Sequence, residues 1–194
     1  MKVLITGDSF AANWRVKYPE KMGWPNFLAE IYNVINLAQA GCSEYRILKQ
    51  IHSVDLSTFD KIIIAHTSPF RIYTKNHPVH MNDKLHSNCD LIYSDIKDHA
   101  VDNKKLLSIV DYFENYFDNE YAVDIHNLIC EKIDILTEKY DPIHITGFEW
   151  EDSYKFENMI NFNHLFKKSR GESNHLTADG NLSYYMCKTI KWLS

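Results

Sequence analysis

The stretch Lys2-Val3-Leu4-Ile5-Thr6-Gly7-Asp8-Ser9-Phe10 begins as a short apolar run and ends in turn-forming residues. An apolar run without polar alternation fits a strand buried on both faces, the strand type of parallel sheets. Working outward, Trp24, Phe27, Leu28, Ile31 and Tyr32 recur at helical spacing, and Pro25 suits a first helical turn. Residues 34–38 read as a second strand. Ser43 can then cap a helix carrying Tyr45, Leu48 and Ile51. Lys61–His66, with Ile62, Ile63 and Ile64 in succession, is a third strand. Strands alternating with helices in this way predict an α/β domain whose parallel sheet is covered on both faces by right-handed crossovers.

Beyond residue 72 the pattern dissolves. Residues 72–103 are polar, contain His77, Pro78, His80, His86 and His99, and exceed the usual length of a connection, so they read as a lid or substrate loop. Helical spacing returns at Leu106, Val110, Phe113 and Phe117, and again at Ile125, Ile129, Ile133 and Leu136, predicting long amphipathic helices packed on the sheet. Residues 142–148 read as a fourth strand, 149–170 are open between short helix and loop, and no fifth strand is assigned. Leu182, Tyr185, Met186, Thr189, Ile190 and Leu193 share one helical face, with Thr177 as N-cap and Asp179 in the first turn. No repeat, linker or low-complexity tract divides the chain, so residues 1–194 are expected to form a single domain.

A chain of 194 residues can bury a sizeable core, roughly 70% of its unfolded surface, without staples. Its net charge of -5, with both signs interspersed, provides no basic stripe to follow a phosphate backbone, so nucleic acid is not an expected partner. No run approaches the roughly 18 apolar residues that span a bilayer, and the N-terminal segment lacks the apolar stretch of a signal peptide. A cytoplasmic, or otherwise not Sec-exported, protein without membrane insertion is expected. Cys42, Cys89, Cys130 and Cys187 show no C-x-x-C spacing, which predicts reduced, buried thiols.

Ligands of open parallel sheets bind beyond the carboxyl ends of the strands. Gly7-Asp8-Ser9-Phe10 stands at that position, where a sharp turn would present the Ser9 hydroxyl to the crevice. The same residues also make ordinary turns. Near the far end, Glu172-Ser173-Asn174-His175 sets a carboxylate three residues before a histidine. A serine needs such a base to become nucleophilic, and the imidazole needs a carboxylate to fix its tautomer.

Three blocks together resemble the SGNH (GDSL-like) serine hydrolases. Gly7-Asp8-Ser9-Phe10 is similar to the first family block, Asn36-Leu37-Ala38-Gln39-Ala40-Gly41-Cys42-Ser43 to the second, and Glu172 to His175 to the last, D-x-x-H. The resemblance implies a flavodoxin-like three-layer α/β/α sandwich and an esterase acting through an acyl-serine intermediate. It makes Ser9 the nucleophile, His175 the base and Glu172 the residue orienting it. The Ser9 and Gly41 N–H groups would bind the oxyanion. No cofactor is implied. A small acyl ester, most often acetyl on a carbohydrate, is the implied substrate.

Two departures stand out. The third block, G-x-N-D, corresponds to Ala65-His66-Thr67-Ser68, so Thr67 replaces the asparagine that supplies a third oxyanion donor. Losing such a donor outright costs about 100-fold or more in rate. Arg71 or Asn36 could rebuild it. Glu172 likewise stands for an aspartate. These departures keep a second reading open, a non-catalytic glycan-binding or interaction module; a third, in which an acceptor hydroxyl replaces water, is an O-acyltransferase.

Asp8, Asn36, His66 and Arg71 are the candidate substrate contacts. His66 could instead merely line the crevice, and Arg71 could pair either with an anionic substrate group or with Asp8. Trp14, Tyr18 and Trp24 could form a sugar platform or belong to the core. His77-Pro78-Val79-His80 lacks accompanying ligands at an established spacing and reads as solvated loop; no metal is expected.

Overall fold

The computed structural model describes residues 1–148 and 152–161. The principal sheet comprises β1 (Lys2–Gly7), β2 (Asn33–Asn36), β3 (Lys61–His66), β6 (Ile143–Thr146) and β7 (Met159–Asn161). Its order is β2-β1-β3-β6-β7, and every pairing is parallel. In strand order along the chain this is 2-1-3-4-5, the flavodoxin-like arrangement. Between the strands lie α1 (Trp24–Ala29), α2 (Glu44–His52), α3 (Tyr93–Ala100), α4 (Leu107–Asn115) and α5 (Asn119–Thr137). A short antiparallel ribbon joins β4 (Arg71–Ile72) to β5 (Leu91–Ile92).

Strand parity explains the layers. Val3, Ile5, Ile63, Ala65, Ile143 and Ile145 project to one face and pack with Trp24 and Leu28 of α1. Their neighbours Leu4, Ile62 and Ile64 project to the other face, against Ile47 and Ile51 of α2 and Ile133 of α5. Successive side chains alternate across a strand, so an unbroken run of isoleucines feeds both cores at once. The result is a three-layer α/β/α domain. Among the described residues no helix is long and apolar enough to cross a membrane.

Several sequence expectations shift. The helix begun at Trp24 ends at Ala29, leaving Ile31 63% exposed. In α2 the Ser43 hydroxyl accepts from the Arg46 N–H, as its capping role predicts, but the buried face is Glu44, Ile47, Gln50 and Ile51, with Tyr45 outside. In α5 the buried residues are His126, Cys130, Ile133 and Thr137, one position round from the Ile125–Ile129 stripe. His126 and Cys130 of that face line a small pocket with His66, Thr146 and Phe156, while Ile133 packs into the core. The stretch 72–103 contains helix α3, whose Ile96 and Ala100 pack with Leu106 and Val110. Met159–Asn161 supplies the fifth strand within the segment left open between helix and loop. Cys42, Cys89 and Cys130 are buried free thiols. The C-terminal helix expected around 182–193, its Thr177 cap and Cys187 lie outside the described residues.

Candidate active site at the carboxyl edge of the sheet

The chain runs from β1 to β2 on one side of it and from β2 back across to β3 on the other, so the crevice beyond β1 is the topological switch point of the sheet. Gly7 closes β1 with φ at +144°. A Cβ there would sit 2.6 Å from both the Cβ and the carbonyl oxygen of Ala65, a separation that only glycine permits. The Gln50 amide clamps this residue from α2: Oε1 accepts from Gly7 N–H at 2.8 Å and Nε2 donates to Gly7 C=O at 3.2 Å.

Asp8 follows, fully buried. Its Oδ1 accepts from Phe10 N–H at 2.9 Å, its Oδ2 accepts from the Thr67 hydroxyl at 3.0 Å, and Arg71 Nη2 lies 3.3 Å away. Burial raises the carboxyl above its ordinary range, with the Arg71 charge opposing. Arg71 also donates from Nη1 to Cys42 C=O at 2.9 Å, bridging the turn after β1 to the loop after β2. Of the two partners open for Arg71, the structure brings it to Asp8.

Ser9 is half-buried, and its backbone is pinned from both sides. Trp14 Nε1 donates to Ser9 C=O at 2.9 Å, Trp24 Nε1 to Phe10 C=O at 2.8 Å, and Asn36 Nδ2 to Ala11 C=O at 2.8 Å. Asn36 Oδ1 accepts from Ala38 N–H at 2.9 Å, so both ends of that side chain serve the scaffold. Trp24 is core, while Trp14 stacks on Tyr18 at 6.2 Å. The indoles thus position the serine turn.

Gly41 adopts φ +75°, and a Cβ on it would meet Cys89 Cβ at 2.7 Å. Its carbonyl accepts from Asp90 N–H at 2.9 Å. Among the described residues neither the Ser9 N–H nor the Gly41 N–H has an acceptor. Backbone donors are nearly always paired, so these two, in the turn after β1 and the loop after β2, are available to a ligand or to solvent. The Thr67 hydroxyl is committed to Asp8, and its N–H donates to Glu44 Oε2 at 3.1 Å. Glu172 and His175 lie outside the described residues.

A buried polar array adjoins the crevice and was not legible as a unit in the sequence. His66 Nδ1 lies 2.7 Å from Glu44 Oε1, and His66 Nε2 lies 2.9 Å from His144 Nδ1. His144 Nε2 faces Asp134 Oδ1 at 3.6 Å, and Phe156 stacks on both rings at 4.1 and 4.0 Å. Burial opposes the Glu44 charge, but His66, by charge and hydrogen bond, outweighs it and holds the carboxyl below its usual range. His66 Nδ1 is therefore the donor of that bond. Histidines at the ends of two apolar strands were the available signal; Glu44, on a separate helix, carried none.

A cleft of about 540 Å³ opens between α2, the β3–β4 turn and α4–α5. Tyr45, Tyr73, Tyr112, Tyr116 and Tyr121 line it, and Arg71 connects it to Asp8. The expectation that His77 and His80 are solvated and unaccompanied is overturned. His77 is 2% exposed, and Asp95 and His99 of α3 come up against His80.

No family model matches the sequence, and no curated protein matches it. Among solved structures, a Bacteroides fragilis protein described as a "putative acylhydrolase" aligns at 12% identity with a TM-score of 0.46, covering 99% of this chain and 87% of that one.

Proposed function

We propose that the chain is a serine ester hydrolase with Ser9 as nucleophile. The observation carrying this reading is the serine's position at the switch-point crevice, half-buried, with its own N–H and the Gly41 N–H of the loop after β2 both without acceptors among the described residues. Ser9 Oγ attacks the ester carbonyl as His175 takes its proton, and the oxyanion lies against the Ser9 and Gly41 N–H groups. Collapse expels the alcohol, which receives the proton from His175. Water, activated by the same imidazole, then cleaves the acyl-serine. Glu172 orients His175. A small acyl group, acetyl in the leading reading, fits the proposal, and the tyrosine-lined cleft, which shares Arg71 with the Asp8 turn, supports a carbohydrate as the alcohol.

A binding role without catalysis is the second reading, favoured by one observation: the Thr67 hydroxyl is spent on Asp8, leaving that position without an oxyanion donor. A fluorophosphonate probe separates the two. The wild type is expected to label and Ser9→Ala to remain unlabelled, with release of acetate from O-acetylated xylan oligomers by the wild type alone. Absence of labelling in folded wild type would replace the catalytic reading with the binding one.

A further inference from the structure

We propose that the loop after β4 and helix α3 form a binding site for a divalent transition-metal ion of the zinc class, with His80, Asp95 and His99 as ligands and His77 as the outer brace. Asp95 and His99 occupy i and i+4 of α3 and so share one face of the helix. The antiparallel pairing of β4 with β5 folds the intervening loop back so that His77 and His80 lie over that face.

The separations match a coordination sphere. His80 Nε2 is 2.9 and 3.1 Å from the two Asp95 oxygens, and His99 Nδ1 is 3.6 Å from Oδ1. Metal–nitrogen and metal–oxygen bonds of about 2.0–2.1 Å in a tetrahedral site set ligand–ligand edges of about 3.3 Å, which these values bracket. An imidazole-rich set with one carboxylate suits zinc and its neighbours rather than magnesium or calcium. The side chains of His80, Asp95 and His99 are 21%, 28% and 43% exposed, so an ion can enter and a fourth position faces solvent. Binding displaces the ring proton that His80 Nε2 directs at the carboxylate, which moves to Nδ1, and the bond His99 Nδ1 makes to the Asp95 backbone carbonyl at 2.8 Å, its proton moving to Nε2.

His77 supplies the second, independent observation. Its Nδ1 accepts from the N–H groups of Val79 and His80, both at 3.2 Å, so the ring proton sits on Nε2. That Nε2 is buried without a hydrogen-bond partner, and the nearest carboxylate oxygen, Asp95 Oδ2, is 3.7 Å away. Orphaned buried donors are rare, and ligating carboxylates are usually held by an outer donor of this kind. Cys89 also approaches His77 and His80, as a buried free thiol in a grouping separate from that of Asp95 and His99. Asp90 N–H donates to Gly41 C=O and ties the end of this loop to the Gly41 loop, yet the site involves no residue of the proposed ester chemistry.

The test uses the full chain, stripped with a chelator and dialysed against zinc chloride, with metal content measured by mass spectrometry. One equivalent is expected in the wild type and in Ser9→Ala, with loss in His80→Ala and Asp95→Asn and about 10- to 100-fold weaker binding in His77→Gln. The melting temperature should rise with zinc only where zinc is retained. Equal zinc in wild type and Asp95→Asn, or none in either, overturns the site. Cobalt(II) in the wild type alone gives a check free of folding defects: strong visible bands of a low-coordinate ion are expected, and the weak spectrum of the hydrated ion would refute the assignment. Retention by Ser9→Ala keeps this outcome separate from that of the ester reading.

Discussion

Asp8 illustrates what a single residue does in this protein. A fully buried carboxylate adjacent to the proposed nucleophile is held by a hydroxyl, a backbone N–H and one guanidinium. Removing only the cation leaves the charge desolvated and unpaired, which costs about 3–5 kcal/mol in comparable buried pairs. Arg71→Met is therefore expected to lose stability of that order in urea denaturation, and Asp8→Asn/Arg71→Met to recover part of it. Gly-Asp-Ser was legible in the sequence as a turn and, through its resemblance, as a nucleophile block. The commitment of Thr67 to Asp8 was not, because 59 residues separate the partners and no local pattern encodes that bond. The same holds for Asn36, whose amide proves to be a strut between loops.

Among the elements, α2 shows how loops are tied to helices. Ser43 N–H, at the N-cap, donates to Asp90 Oδ2 at 2.7 Å, and Arg46 donates to the same carboxylate from Nη2 at 2.7 Å. Asp90 Oδ1 also accepts from Thr74 N–H at 3.0 Å, so one buried side chain closes both ends of the 74–90 loop onto the helix N-terminus. A negative charge there is favoured by the helix dipole as well as by Arg46. Asp90→Ala is expected to cost about 3 kcal/mol or more and to speed tryptic cleavage at the exposed Lys75 and Lys84, read by mass spectrometry of timed digests. Helix α3 escaped the sequence reading because only Ile96 and Ala100 are buried on it, too sparse a stripe to register against a polar background. Missing that helix also hid the i, i+4 relation of Asp95 to His99.

For the molecule as a whole, the buried histidines set the response to acid. Burial, and then the charge of His66, pushes His144 down to about 2; burial likewise lowers His126. Groups whose folded pKa is depressed stay neutral in the native state but protonate when unfolded, so the unfolded chain binds more protons below pH about 6.5. Stability should therefore fall as pH drops from 6.5, by up to about 1.4 kcal/mol per pH unit for each such histidine. Urea midpoints at pH 7.5, 6.0 and 5.0 measure the slope, and His144→Gln should flatten it. No flattening would remove His144 as a source. The sequence by itself determined the α/β layering, since apolar runs that fill both faces of a strand admit little besides a covered parallel sheet. It determined the serine turn as well, because glycine and turn chemistry are local. Only the tertiary structure decided which side chains meet: Glu44 with His66 and His144, Arg71 with Asp8, and His80 with Asp95 and His99. Those pairings depend on strand order and on the register between elements distant in the chain, and a local pattern cannot carry either.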